Sequence, residues 1–143
     1  MILRNLFDEI PNKEFHSCIL TTYSFDFHFM EEKVRRQLQA KGIINISILV
    51  DEQMLESSLG NLTGNLSRVG KSYSISSIST SSLFHPKINL FVGENKALIL
   101  LGSGNITATG FGKNHEIWSS VFIDGLDDPN LPFFGNAGTK YVY

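Results

Sequence analysis

The sequence has little of what would tie it to an oxidising compartment or to a membrane. Its 143 residues include one cysteine, Cys18, so no disulfide can form within the chain. The longest apolar run, Ala97 to Leu101, falls far short of the roughly 20 residues a spanning helix needs. The first nine residues already reach acid and do not have the shape of a signal peptide. The expectation is a cytoplasmic protein with no membrane partner, and the triplets at Asn45, Asn61, Asn65 and Asn105 then carry no weight as glycosylation signals. Charge is also sparse, at 18% of residues, while 42% are apolar. That balance excludes disorder over most of the chain and allows a single core of ordinary size. No internal repeat of usable length is present.

A net charge of −2 excludes a uniformly basic nucleic-acid binder, but the charges are unevenly placed. Residues 1–56 carry a net −3 and residues 116–143 another −3. Between them Arg68, Lys71, Lys87, Lys96 and Lys113 face Glu94 alone, a net +4. A positive middle between negative ends suits an anion such as phosphate, although an unevenly charged surface would look the same.

Residues 15–25, rich in β-branched and aromatic types, read as a strand. Phe27, Met30, Val34 and Leu38 then recur at helical spacing, with Glu31/Arg35 and Glu32/Arg36 as i,i+4 pairs and Gly42 as a stop. Ile43 to Val50 reads as a second strand, apolar enough to be buried on both faces. Asp51 can cap a short helix through about Leu59. This order predicts an α/β fold opening on a parallel pair, a mixed, mostly parallel sheet with helices on both faces. A weak strand at Tyr73–Ile78 follows, then apolar segments at Leu83–Val92, Lys96–Gly102 and Glu116–Asp124. Gly93-Glu94-Asn95 joins the first two of these as a hairpin turn. Residues 1–124 thus read as one domain. Residues 125–143 lack any period and read as loop or linker, cut short before a further domain.

The chemistry concentrates in the last third. In a strand, residues two apart share a face, so His85, Lys87 and Asn89 would lie together on the open side, with Phe84, Ile88, Leu90 and Val92 as the core face. Pro86 cannot donate to a ladder, which places a sheet boundary or bulge there. Gly102-Ser103-Gly104-Asn105 follows a buried strand directly, and such a turn aims backbone N–H groups and the Asn105 amide at an anion. Glu116 enters the next strand at its mouth. Each feature alone is also what a solvated strand face, a glycine-rich turn or an edge acid would show. His16 and His28 read as structural or surface residues, and His115 points away from Glu116's face. His115-Glu116 does not complete the H-E-x-x-H zinc motif, because Ser119 stands where the second histidine belongs. There is no phosphate-binding P-loop and no acidic pair near the candidate site, so neither metal nor cofactor is expected.

His85-x-Lys87 followed by Gly102-Ser103-x-Asn105 is similar to the signature of the phospholipase D superfamily, and Asn114-x-Glu116 looks like its continuation. The order resembles the small nuclease branch, in particular the catalytic domain of metal-independent type IIS restriction endonucleases. Thr21 to Asp26 and Ile48 to Asp51 resemble the first βαβ unit of such domains, and the likeness spans residues 15–124. One position departs from it. The superfamily pattern H-x-K-x4-D has its aspartate where Val92 stands. The restriction branch also lacks that residue, and there the downstream glutamate, here Glu116, is implied to support the histidine.

The resemblance implies phosphodiester cleavage of DNA through a covalent phosphohistidine at His85. Glu116 would orient the ring, and Lys87, Ser103 and Asn105 would hold the phosphate oxygens. In-line transfer also needs an acid on the leaving oxygen. With one H-x-K per chain, the economical source is a second copy, giving a homodimer with the active site on the two-fold axis; the resemblance implies the same. Phe111 and Trp118 are candidate anchors of that contact. Two alternatives remain open: a phosphodiesterase acting on phospholipid, and a non-catalytic dimerisation or DNA-docking module that keeps the fold.

Overall fold

The computed structural model describes residues 6–65, 68–112, 118–125 and 127–132. A short 3-10 turn, Leu6–Glu9, leads to strand β1 (Ser17–Thr22). A helical stretch follows as α1 (Phe27–Phe29), a π-helical turn (Met30–Val34) and α2 (Arg35–Ala40). Next come β2 (Asn45–Asp51), α3 (Glu52–Gly60) and β3 (Ser74–Ile78). The hairpin β4 (Ile88–Gly93) and β5 (Lys96–Gly102), the short α4 (Ala108–Gly112) and β6 (Trp118–Asp124) complete the order. The six strands form one mixed sheet in the order β3-β2-β1-β4-β5-β6. The β1/β2 and β2/β3 ladders are parallel. Those of β1/β4, β4/β5 and β5/β6 are antiparallel. Four strands therefore run one way, and β4 and β6 run against them.

Local chemistry explains the elements. Asp26 caps the first helix by accepting from the Phe29 N–H at 2.9 Å, and Asp51 caps α3 by accepting from Met54 at 3.2 Å. The π-helical turn holds Glu31, which is buried and accepts from the Tyr73 hydroxyl and the Arg68 N–H, both at 3.1 Å. That carboxylate fastens the chain just before β3 to the helix, and the Tyr73 hydroxyl pKa is raised, first by burial and then by this bond. Gly93 ends β4 where a Cβ would stand 2.0 Å from the Glu14 carbonyl oxygen, so no side chain fits there.

The core sits on one face of the sheet. Cys18, Leu20, Ile46, Ile48, Phe91, Leu98 and Leu100 meet Phe27, Met30, Val34 and Leu38 of the helix, and Leu55 of α3 packs against the same cluster. Leu6, Phe7, Ile10 and Phe15 belong to it too, with the Phe15 ring 6.1 Å from that of Phe91. Burial pushes the Cys18 thiol pKa up to about 12. The expected α/β fold, a mixed sheet flanked by helices, is present. The described helices that meet this core share one face; on the other, Ile99 and Ile123 are buried while Ile19, Val92 and Leu101 stay exposed.

This asymmetry corrects two strand readings. β2 is not buried on both sides; Ile46, Ile48 and Val50 point inward, and Ser47 and Leu49 are half-buried. In β4 the faces are the reverse of those expected: Phe91, Asn89 and Lys87 are 0%, 1% and 7% exposed, whereas Val92 is 38% exposed. Counting apolar residues favoured the Ile88/Leu90/Val92 face. Register decides instead, because Phe91 sits opposite Cys18 on one side and Leu98 on the other, under the helices. Phe91→Ala is expected to cost about 3–5 kcal/mol, and Leu90→Ala distinctly less, in denaturant titrations of the two variants.

Candidate active site

The strand directions bring the carboxyl ends of β1, β2, β3 and β5 to one edge of the sheet, together with the amino ends of β4 and β6. That edge is where open α/β sheets hold ligands, above all where strand order reverses. Here the reversal falls between β1 and β4, and His85 and Lys87 lie just ahead of β4.

His85-Pro86-Lys87 precedes the strand rather than opening it. Pro86 has no N–H for a ladder, and Thr21 at the end of β1 supplies a side-chain substitute. Its hydroxyl accepts from the Ile88 N–H at 2.7 Å and lies 3.0 and 3.1 Å from the carbonyl oxygens of Pro86 and Ile88, to which it can donate. The expected sheet boundary is therefore present, bridged by one threonine. Lys87 Nζ lies 2.6 Å from His85 Nδ1, 3.2 Å from Nε2 and 3.1 Å from the His85 carbonyl oxygen. An ammonium has only protons to give, so the ring nitrogen facing it presents its lone pair. His85 itself is exposed, while the Lys87 stem is buried. The expected open face thus holds for the imidazole and fails for Lys87 and Asn89. Asn89 buries both amide atoms without a hydrogen-bond partner among the described residues.

Asn105 follows β5 at the same edge, where the Gly102 N–H bonds the Lys87 carbonyl at 3.2 Å. Its Oδ1 accepts from the backbone N–H groups of Tyr23 and Ser24, both at 3.2 Å, with the Thr22 hydroxyl 3.4 Å away. The Thr22 hydroxyl in turn accepts from the Ile106 N–H at 3.0 Å. The Asn105 carbonyl oxygen is thus committed to the loop leaving β1, which leaves the NH₂ of the same amide as the group suited to an anion. Ser103 is exposed on the same loop. Glu116, with Asn114 and His115, lies outside the described residues. The start of β6 is nonetheless at this edge, because Trp118 pairs with Gly102. The side chains of the expected anchors Phe111 and Trp118 are likewise outside the description.

Two groups at this edge escaped the sequence reading. The Tyr23 ring packs on the His85 ring with centroids 4.7 Å apart, and Lys87 Nζ lies 6.0 Å from the Tyr23 centroid. Asp51, read as a helix cap within the first βαβ unit, also accepts from the Phe84 N–H at 3.0 Å and so fixes the residue ahead of His85. The signal available for both was position: each stands at or just beyond the carboxyl end of a parallel strand. Among the described residues, no three His, Cys, Asp or Glu side chains gather as a metal-ligand set.

No protein-family model and no curated protein matches this sequence. Solved structures do. Nuc from Salmonella typhimurium, a phospholipase D family member, matches with a TM-score of 0.55 at 17% identity over 94% of this chain and 80% of its own. The fold is shared with that phospholipase D family member. NucT from Helicobacter pylori has the same arrangement, with a TM-score of 0.51 at 17% identity over 94% of this chain and 83% of its own. Yeast tyrosyl-DNA phosphodiesterase shares it with a TM-score of 0.55 at 17% identity over 82% of this chain. This chain spans only 28% of the length of that enzyme. The likeness to the restriction branch finds no counterpart among these structures. At such identities a phospholipase D-type fold says where a site would sit, and the residues must say what it does.

The Asp51 carboxyl pKa is lowered, first by the Phe84 N–H, then against the opposing effect of burial by the N–H groups of Met54 and Gln53 and by the charge of His85. A carboxyl with a lowered folded pKa stabilises the fold above its unfolded value and loses that contribution as pH falls through the folded value. Asp51→Asn is therefore expected to be less stable than wild type at neutral pH. The gap should close below about pH 4, where an unfolded aspartate protonates. Thermal melts of both proteins from pH 7 to pH 3 check this.

Proposed function

We propose that this chain is a metal-independent phosphodiesterase, acting on DNA as an endonuclease of restriction type through a phosphohistidine at His85. The observation that carries this reading is the His85–Lys87 pair, an exposed imidazole whose nitrogen lone pair faces an ammonium 2.6 Å away. It lies at the sheet edge that Asn105 also reaches, in a fold shared with nucleases of the phospholipase D type. Nucleophile, cation and amide donor are the parts that phosphoryl transfer without a metal needs.

A His85 ring nitrogen attacks phosphorus, a P–N bond forms, and the P–O bond to the leaving strand breaks. The leaving oxygen takes a proton from an acid on the opposite side. Water then attacks phosphorus and gives a proton back to that acid. The P–N bond breaks, and its electrons return to His85. Lys87, the Asn105 NH₂ and the Ser103 hydroxyl hold the non-bridging oxygens as charge builds on them. Glu116 steadies the ring once it is cationic.

The opposing acid is His85 of a second copy, so the working unit is a homodimer with one composite site on its two-fold axis. Of the cations in the positive middle segment, Lys87 lies at that edge, whereas Lys71 and Lys96 sit at the amino ends of β3 and β5, at the opposite edge, with Lys96 paired to Glu14; two copies of Lys87 on the axis supply the charge that draws a phosphate into the site. No helix among the described residues is long and apolar enough to cross a membrane. Nor does the sequence carry a polybasic amphipathic face of the kind that favours a phospholipid surface.

The purified chain is expected to cleave DNA equally with and without EDTA, and His85→Ala and Lys87→Ala are each expected to abolish cleavage, His85→Ala at near wild-type stability and Lys87→Ala with a measurable loss of stability because its stem is buried. Dependence on added Mg²⁺, or full activity in His85→Ala, would overturn the assignment. A chain that sediments as a strict monomer at high concentration would remove the composite site.

A further inference from the structure

We infer that Tyr23 is the positioning residue for the His85 imidazole, and that Asn105 serves the site through Tyr23 as well as directly. The inference rests on the reading of His85 as nucleophile. His85 is exposed and precedes the sheet, so no ladder bond fixes its side chain, and a free imidazole samples several rotamers. What the ring meets is the face of Tyr23, at a centroid distance of 4.7 Å and a tilt of 38°. The same tyrosine has Lys87 Nζ 6.0 Å from its centroid. One aromatic ring therefore borders both members of the pair and limits where each can go.

Tyr23 is itself held. Its N–H and that of Ser24 donate to Asn105 Oδ1, each at 3.2 Å, and the Thr22 hydroxyl lies 2.6 Å from the Ser24 carbonyl oxygen, to which it donates. The loop leaving β1 is thus set by the loop leaving β5, and the ring that Tyr23 extends is set with it. Asn105 acquires two separable duties: Oδ1 anchors Tyr23, while the NH₂ is the half of the amide able to donate to phosphate.

Packing on Tyr23 also suits the chemistry. When a His85 nitrogen bonds phosphorus the ring becomes cationic, and the electron-rich face of an aromatic stabilises a cation beside it. The benefit is larger in the intermediate than in the resting site, which is the condition for accelerating a step rather than only tightening binding. Tyr23 forms no bond in this scheme and transfers no proton. Its ring is the working part and its hydroxyl is not.

The test is made on the full chain. In the wild-type protein, NMR should show contacts between His85 and Tyr23 ring protons, with the His85 ring signals displaced by the neighbouring ring current. Tyr23→Phe should keep the displacement and cleave within about twofold of wild type. Tyr23→Leu should lose the displacement and lower kcat about 10- to 100-fold, the scale of a misplaced reacting group, with KM little changed. Absence of the ring–ring contact in wild type would overturn the inference without any variant. Equal loss in Tyr23→Phe and Tyr23→Leu would overturn it by making the hydroxyl the active part. Normal kcat in Tyr23→Leu would do so too. Failure of the nuclease reading looks different: wild type would then not cleave, or His85→Ala would cleave as fast as wild type, whatever the NMR contact shows.

Discussion

The side-chain oxygen of Asn105 is the contact on which the site depends. It accepts from two successive N–H groups at the exit of β1, and so joins two loops that are far apart in sequence. The join extends on both sides. The Thr22 hydroxyl accepts from Ile106, and the Asp26 N–H bonds the Ile106 carbonyl at 3.1 Å. Gly110 lies so close beneath Asn105 that a Cβ there would stand 2.3 Å from the Asn105 carbonyl oxygen. One asparagine therefore sits in a cradle of backbone on either side, and its amide cannot swing without moving the end of the central strand. In the proposed reaction, preorganisation of this kind would spare the site reorganisation as charge builds.

The second constraint is the buried lysine. Lys87 is 7% exposed, and a cation so placed needs partners. The His85 nitrogens and the His85 carbonyl are among them. A phosphate arriving at this edge would offer full negative charge in place of those neutral acceptors, a stronger partner for the same ammonium. Asn89, buried behind Lys87 with both amide atoms unpartnered among the described residues, adds a polar floor in an otherwise apolar layer. Buried polar groups of this sort cost stability, which is consistent with a sheet edge shaped for binding rather than for packing.

Much of this was legible in the sequence, and the failures share a cause. The helix of residues 27–40, the Asp51 cap, the β4–β5 hairpin and the boundary at Pro86 follow from local rules of period, capping and missing N–H groups. What sequence does not carry is which face of a strand is covered. Ile88, Leu90 and Val92 outnumber Phe91, yet Phe91 lies beneath the helices because the register with Cys18 and Leu98 places it there. The same limit hid the true surroundings of Lys87. Tyr23 and Asp51 were missed for a different reason. Their importance comes from standing at the ends of parallel strands where the sheet reverses, and strand order emerges only when non-local pairing is known. Asn105 was found as an anion donor, but its anchoring role depends on a partner more than eighty residues away in the chain.

The account stands on His85 becoming covalently bonded to phosphorus, and one measurement reaches that step directly. The protein is mixed with a DNA oligonucleotide in EDTA, quenched within the first turnovers under alkaline denaturing conditions that preserve phosphoramidate bonds, and digested for mass spectrometry. The account predicts a nucleotide-bearing adduct on the peptide containing His85, absent from His85→Ala and lost when the peptide is acidified. Cleavage that proceeds with no adduct at any quench time, or an adduct on another residue, would contradict it.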